Sequence, residues 1–342
     1  MTKQRGTPFR FPYIMEKSFD TTHQAATGWT GDILGKDFER RTIVQPSDYD
    51  GPVCCTVVRL RPLPDAAPAS RGVLYVHGFS DYFFQAEMAR RFRDEGYAFY
   101  AVDLRKYGRS VLAGQKPFRV RDLREYFPDI EAALRQMADD GITSVVLLAH
   151  STGGLICSLM MMECPPPQVA AMILNSPFLA WNLPAFTRKV VVPAVSWLGR
   201  FMPGLPASQP ADPLYARSLH KKYDGEWDYN RHWKPDRLPP VDAGWIRAID
   251  TAQRALGHLP PVEVPVLLLH SDRSTSRRGS LEEHRHADAI LDADAISGAG
   301  RRLGPMVTDV AIAGGVHDLA LSLPDVRAIF YATIFGWLAE AL

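Results

Sequence analysis

The sequence predicts an α/β protein, a mostly parallel sheet wrapped by helices, with one long insertion. Three observations predict it. Short apolar runs without polar alternation (Gly72–Val76, Ser144–Ala149, Val169–Leu174) suit strands buried on both faces. Segments of helical spacing stand between these runs, as β-α-β units require. The rhythm then stops between Pro177 and Pro260 and resumes afterwards.

The elements follow in order. Arg40–Val44 and Val53–Leu60 are β-prone runs joined by the turn cluster Pro46–Gly51, which reads as an antiparallel hairpin. After a Pro/Ala/Ser loop, Pro62–Ser70, comes the strand Gly72–Val76. A helix over Gln85–Glu95 ends at Gly96, and Tyr97–Val102 is the next strand. Val120–Asp140 is amphipathic, with Leu123, Phe127, Ile130, Leu134 and Met137 on one face. The strand Ser144–Ala149 leads to a helix over Gly153–Glu163, stopped by three prolines, and Val169–Leu174 is the following strand. The stretch from 178 to 260 is rich in proline and tryptophan, with helical pieces near Ala185–Phe201 and Ala243–Leu256. It reads as a cap inserted into a core of residues 1–177 and 261–342. The core resumes with the strand Val262–His270, a helix near Leu281–Leu291, an additional helix-like piece around Leu291–Gly304, the strand Val307–Ile312 and a final helix over Asp325–Leu342.

Bulk composition excludes several classes of function. The 39 basic residues are interspersed with 38 acidic ones for a net charge of +1, so no basic stripe is available for a phosphate backbone, and no nucleic-acid partner is expected. The N-terminal segment is polar, and no apolar window reaches the roughly 18 residues of a membrane span. A cytoplasmic protein without an integral membrane segment is expected. The four cysteines, Cys54, Cys55, Cys157 and Cys164, have neither the number nor the spacing of a disulfide framework or a zinc site, and read as small buried hydrophobes.

The most informative stretch is Ser144-Val-Val-Leu-Leu-Ala-His-Ser151-Thr-Gly-Gly154. A buried strand runs directly into a serine flanked by small residues, and a helix follows at once. That is the setting of a nucleophile elbow, here A-x-S-x-G in place of G-x-S-x-G, with Ala149 as the smallest alternative to the first glycine. A serine hydroxyl needs a base, and the base needs an orienting carboxylate. Asp272 follows the strand ending at His270, and His317 follows the last strand, both where an open parallel sheet places its site. Asp318 competes as the carboxylate but is adjacent to the histidine it would orient. The segment Asn175–Trp181, another position where an acid could stand, contains none. Two backbone N–H groups are needed to hold an oxyanion; Thr152, after the serine, and Phe79, after His77-Gly78, are the candidates.

Together, His77-Gly78-Phe79, Asp103-Leu-Arg-Lys-Tyr-Gly-Arg-Ser110, His150-Ser151-Thr-Gly-Gly154, Asp272 and His317 resemble the α/β-hydrolase superfamily, closest to its monoacylglycerol lipase, lysophospholipase and serine aminopeptidase-like branch. The resemblance covers about residues 37–177 and 261–342, and it implies the α/β-hydrolase fold, with the Asp103–Ser110 stretch as a structural loop beside the site. Two departures stand out. Ser80-Asp81 replaces the Gly-Glu usual in monoacylglycerol lipases, and the stretch from Asp272 to His317 is longer than usual.

The expected activity is hydrolysis of a carboxylic ester with an apolar portion, through Ser151, His317 and Asp272, with no metal or cofactor. Phe83 and Trp181 are candidate substrate contacts, and Phe79, Phe84 and Phe186 are further aromatics near the site. A proline iminopeptidase-like aminopeptidase is the alternative. It would need an anionic group in the cap, for which Asp224, Glu226 and Asp228 are available among Lys221, Lys222 and Arg231. A non-catalytic binding protein on the same fold is the third reading. A dehalogenase or epoxide hydrolase would carry Asp where Ser151 stands.

Overall fold

The computed structural model describes residues 28–63, 68–207, 213–276 and 278–342. The reading of the N-terminal segment as polar and leaderless lies outside these residues, as does part of the Pro62–Ser70 loop. The described residues open with an antiparallel meander, β1 (Thr30–Asp32), β2 (Gly35–Asp48) and β3 (Gly51–Leu60). There follow β4 (Arg71–Val76), α1 (Ala86–Asp94), β5 (Ala98–Asp103), α2 (Phe127–Asp139), β6 (Ser144–His150), α3 (Thr152–Glu163) and β7 (Val169–Asn175). An inserted segment carries α4 (Val192–Gly199), β8 (Pro206–Ala207), α5 (Pro213–Leu219), β9 (Val241–Asp242) and α6 (Ala243–Ala255). The sheet then resumes with β10 (Val266–Ser271), α7 (Leu281–His286), α8 (Ala293–Gly300), β11 (Val307–Ile312) and α9 (Pro324–Ala341).

Nine of the described strands form a sheet in the order β1-β2-β3-β5-β4-β6-β7-β10-β11, parallel from β5 onward, and β8 and β9 pair separately. The chain lays β5 on one side of β4 and β6 on the other. The loops after β4 and β6 therefore diverge at one point and leave a crevice at the carboxyl ends of the strands, where ligands bind in such sheets.

Strand periodicity divides the core into two layers. Leu74, Val76, Leu147, Ala149, Met172 and Leu174 face α2, α3 and α6, whereas Val73, Tyr75, Val146, Leu148, Ile173 and Leu267 face α1 and α9. Each fully buried aliphatic side chain contributes roughly 1.5–3 kcal/mol of transfer free energy, which is why strands covered on both faces show no polar alternation. Helix α3 is apolar around its circumference because the sheet covers one side and α6 packs against it on another.

Two helices differ from their expected extents. Val120–Asp140 divides into a 3₁₀ turn, Leu123–Tyr126, capped by Asp122 and Glu125, and then α2, with Pro128 in its first turn where a missing N–H costs nothing. All five residues of the expected apolar face still reach the same core, because turn and helix present them to one side. The helix expected over Leu281–Leu291 stops at His286, and the chain is extended at Ala287. Cys54, Cys55 and Cys157 are buried as expected, but Cys164, at the exposed end of α3, is not.

The Asp103–Ser110 loop is a buried polar buttress. Arg109 lies between Asp103 (2.8 Å) and Asp32 (2.6 Å), with all three side chains inaccessible to solvent. The second Asp103 oxygen accepts the Phe83 N–H. Gly108 turns at φ +45°, and a Cβ there would lie 2.4 Å from the Asp103 carboxylate. Arg109→Met would strand two buried carboxylates without a counter-charge. We expect it to lower unfolding free energy by about 3–5 kcal/mol, read as a shifted urea midpoint at unchanged slope.

Candidate active site

Ser151 sits between β6 and α3 with φ 51° and ψ −117°, a conformation that lifts its side chain out of the sheet. The neighbours explain how the turn is tolerated. A Cβ on residue 153 would lie 2.4 Å from the His77 carbonyl, and one on residue 154 would lie 2.6 Å from Pro177, so only glycine fits at either position. Ala149 is fully buried, small enough for the space the motif leaves for glycine. Hydrogen bonds from Ser151 N–H to the Asn175 carbonyl (3.0 Å) and from Phe178 N–H to the Ser151 carbonyl (2.9 Å) tie the turn to the end of β7.

His317 follows β11 and is buried. Its Nε2 lies 3.0 Å from Ser151 Oγ, and its Nδ1 lies 2.8 Å from Asp288 Oδ2. With Nδ1–H donating to the carboxylate, Nε2 is left to accept the serine proton. The other Asp288 oxygen accepts the N–H groups of Ile290 (2.8 Å) and Leu291 (2.7 Å), so the carboxylate cannot rotate away.

This corrects the expectation of Asp272 as the acid. Asp272 is one-third exposed, accepts the Gly314 N–H at 2.9 Å and pairs with Arg273, and its carboxylate shapes the turn before His317 without reaching the ring. The physical reason is that the chain leaves β10 toward β11 at Asp272, whereas the segment around Asp288 returns across the strand end. That segment is pinned by backbone bonds: Asp288 N–H to the Arg273 carbonyl and Thr275 N–H to the Asp288 carbonyl. The unusual length from Asp272 to His317 was the available signal, since Asp288 lies only 29 residues before the histidine. Asp318 is also not on the ring. It accepts from Asn175 (2.7 Å) and Gln85 (3.0 Å) and fastens the His317 loop to the core.

Phe79 and Thr152 both border the space beside Ser151. Gly78 brings that loop in close, since a Cβ on it would lie 2.9 Å from the Ser151 Cβ. His77 holds the loop, donating from Nδ1 to the Gly78 carbonyl (2.8 Å) and accepting the Leu104 N–H at Nε2 (3.1 Å).

The serine opens into a cavity of about 660 Å³, within the usual range for small-molecule sites. Most of its wall is apolar, with Phe178, Trp181, Val192, Val195, Trp245 and Ile246 among its lining, nearly all from the inserted segment. Trp181, a candidate substrate contact, lines it. Phe83 does not: its ring packs against Phe38, Tyr75 and Phe99 on the opposite side of the sheet, fully buried. Phe84 packs with Tyr82 and Tyr229, and Phe186 faces solvent. Trp245 and Tyr215, whose ring centroid is 6.2 Å from that of His317, carried no motif that could have marked them.

The polar end of the cavity holds Ser80, Asp81, His150 and Lys234. Lys234 Nζ reaches Asp81 at 3.0 Å, which bridges the inserted segment to the loop after β4. Asp81, His150 and Asp318 offer ligand atoms within 4.8 Å of one another, the one such grouping among the described residues. Asp81 Oδ1 meets Lys234 and the Tyr82 N–H, His150 Nδ1 meets the Asn175 carbonyl, and Asp318 accepts from Asn175 and Gln85, whereas Asp81 Oδ2 is buried with no hydrogen-bond partner among the described residues. Asp224, Glu226 and Asp228 do not line the cavity; they pair on the outside with Arg217, Arg327 and Lys221.

These features define an α/β hydrolase, and the chain belongs to the family described as serine aminopeptidase, S33, whose model matches residues 67–291 and so includes Ser151 and Asp288. Among solved structures it is similar to a soluble variant of monoglyceride lipase from Saccharomyces cerevisiae (17% identity, TM-score 0.63, 87% of this chain and 94% of that one). It is also similar to a monoacylglycerol lipase from Paleococcus ferrophilus (19%, 0.57, 90% and 100%) and to a putative aryl esterase from Burkholderia cenocepacia (17%, 0.52, 88% and 99%). At these identities the likeness establishes the fold. No curated protein sequence matches the chain. No helix among the described residues is long and apolar enough to cross a membrane.

Burial holds the pKa values of His77 and His150 below the ordinary 6.5, so the folded protein keeps both neutral to lower pH than the unfolded chain does. The unfolded chain takes up those protons first as the medium is acidified, so their contribution to stability is complete above pH 6.5 and is lost as pH falls below it. Each adds a slope of up to about 1.4 kcal/mol per pH unit. Unfolding free energy measured from pH 7.5 down to 5.5 should fall, and less steeply in His150→Gln.

Proposed function

We propose that the protein is a serine carboxylic ester hydrolase, with Ser151 as nucleophile, His317 as general base and acid, and Asp288 as the residue that orients and stabilises the imidazole. The observation that carries this reading is the continuous relay Asp288–His317–Ser151, with links of 2.8 and 3.0 Å, opening into an apolar cavity. Ser151 Oγ attacks the ester carbonyl while its proton passes to His317 Nε2. The carbonyl oxygen takes the negative charge and is held by the backbone N–H groups of Phe79 and Thr152, with the α3 N-terminus beneath. The tetrahedral adduct collapses, the alcohol leaves with the proton from His317, and the acyl group stays on Ser151. Water then attacks the acyl-enzyme, gives a proton to His317, and releases the acid as Ser151 recovers its hydrogen.

The apolar lining favours an ester with a long hydrocarbon acyl chain, and the polar end around Asp81 and Lys234 favours a small hydrophilic alcohol portion. A monoacylglycerol or lysophospholipid has this form. Residues 178–260 act as the cap that supplies the acyl wall. Of the cap carboxylates, Asp224, Glu226 and Asp228 are paired outside the cavity, and Asp236, which lines it, is already held by Arg231 and the Tyr223 hydroxyl, which supports the esterase reading over the aminopeptidase one.

Ser151→Ala and His317→Ala should each lower turnover of a nitrophenyl acyl ester by at least about 10³-fold. Ser151→Ala should also abolish labelling by a fluorophosphonate. Wild-type-like turnover in either variant would overturn the assignment. Asp288→Asn and Asp272→Asn separate the two carboxylates: the first should reduce turnover by about 10⁴-fold, the second by less than about threefold. The reverse order would return the role to Asp272.

A further inference from the structure

The first helical arm of the inserted segment is apolar on the side that should be polar. It runs through a π-helical turn, Thr187–Val191, into α4. Val191, Val192 and Val195 line the cavity, and Val192, Ser196 and Gly199 are buried, so that side is the inner face. Phe186, Val190, Trp197 and Phe201, spaced by four, seven and four residues, are each at least half exposed, as is Met202. The Trp197 and Phe201 rings touch at 5.4 Å. Eight of the seventeen large apolar side chains exposed among the described residues fall between Phe186 and Leu205, so this is a concentrated patch and not a scatter. A helix apolar on all sides belongs in a core or at a lipid boundary, and nothing in this chain's described residues covers its outer face.

Charge identifies the occupant. No Asp or Glu occurs from Asn182 to Ala211, while Arg188, Lys189 and Arg200 are exposed and form no ion pair among the described residues. Stacking this face on a second copy about a two-fold axis would set these cations against their own counterparts. An anionic lipid surface, by contrast, accepts Trp and Phe at the headgroup boundary and attracts basic side chains beside them. We propose that the 186–205 arm is an interfacial docking surface for anionic lipid, seated directly over the wall of the cavity. This goes beyond the esterase reading and does not require it, because docking is a binding event at residues outside the cavity.

The test uses the full chain carrying Ser151→Ala, so that binding is read without turnover. It should cosediment with vesicles of equal parts phosphatidylglycerol and phosphatidylcholine, and more weakly with phosphatidylcholine alone. Trp197→Ser/Phe201→Ser should weaken binding to the mixed vesicles by at least about tenfold, and Arg188→Gln/Lys189→Gln should remove the preference for the anionic lipid. In the Ser151 background, both double variants should keep the unfolding midpoint and the hydrolysis of a water-soluble short-chain ester, since none of the four residues lines the cavity. Absence of vesicle binding, or binding unchanged in Trp197→Ser/Phe201→Ser, would overturn the proposal. So would a concentration-dependent dimer lost in that variant without any vesicle binding, which would assign the face to a second copy.

Discussion

The left-handed backbone at Ser151 is the constraint around which the rest of the site is arranged. A non-glycine residue held at φ 51° costs of order 1–3 kcal/mol and persists only where its surroundings leave no alternative. Here the surroundings are β6 on one side, α3 on the other, and a ring of close approaches. Gly153 lies under the His77 carbonyl, Gly154 against Pro177, and Gly78 against the serine Cβ. Each glycine is explained by the space it vacates. The loop after β4, which offers Phe79, is pressed against the serine by the same contacts that make the elbow possible.

What could be read in the sequence and what could not have different physical origins. Strands covered on both faces advertise themselves through uninterrupted apolar runs, and the two-layer core of the structure follows those runs closely. Ser151 and His317 were legible because each follows a strand end directly, so that local pattern and tertiary position coincide. Asp288 was not legible because its position depends on a non-local backbone pairing with residues 273–275, which leaves no periodic trace. Phe83 illustrates the opposite error. It stands near the oxyanion loop in sequence, but the Asp103 carboxylate captures its N–H and the ring turns to the far side of the sheet. The apolar wall of the cavity was hidden for a third reason: Trp245 and Ile246 reach it from a helix more than ninety positions after the serine.

Electrostatics in this molecule is mostly architectural. The buried Asp32–Arg109–Asp103 bridge ties the antiparallel entry strands to the loop after β5, and Lys106 is buried between Asp48 and Asp50 on the same side. Such clusters add less stability than their short distances suggest, since desolvation offsets much of the attraction. At the site, Lys234 and Asp81 play a comparable part between the inserted segment and the loop after β4, and Gln85, Asn175 and Asp318 anchor the loop of His317.

The placement of His317 carries a consequence for how the molecule fails. Its loop follows β11, the outermost strand, which is only partly covered and has a single neighbour in the sheet. Ser151, by contrast, is set by β6 in the interior. Sheet margins open at lower free energy than sheet interiors. In the proposed mechanism, fraying of that margin would separate His317 from Ser151 while the hydroxyl stays in position, so chains with a folded core and an intact elbow would lack the base. On that mechanism, reactivity at Ser151 would gauge the integrity of the far border of the sheet, 166 residues away along the chain.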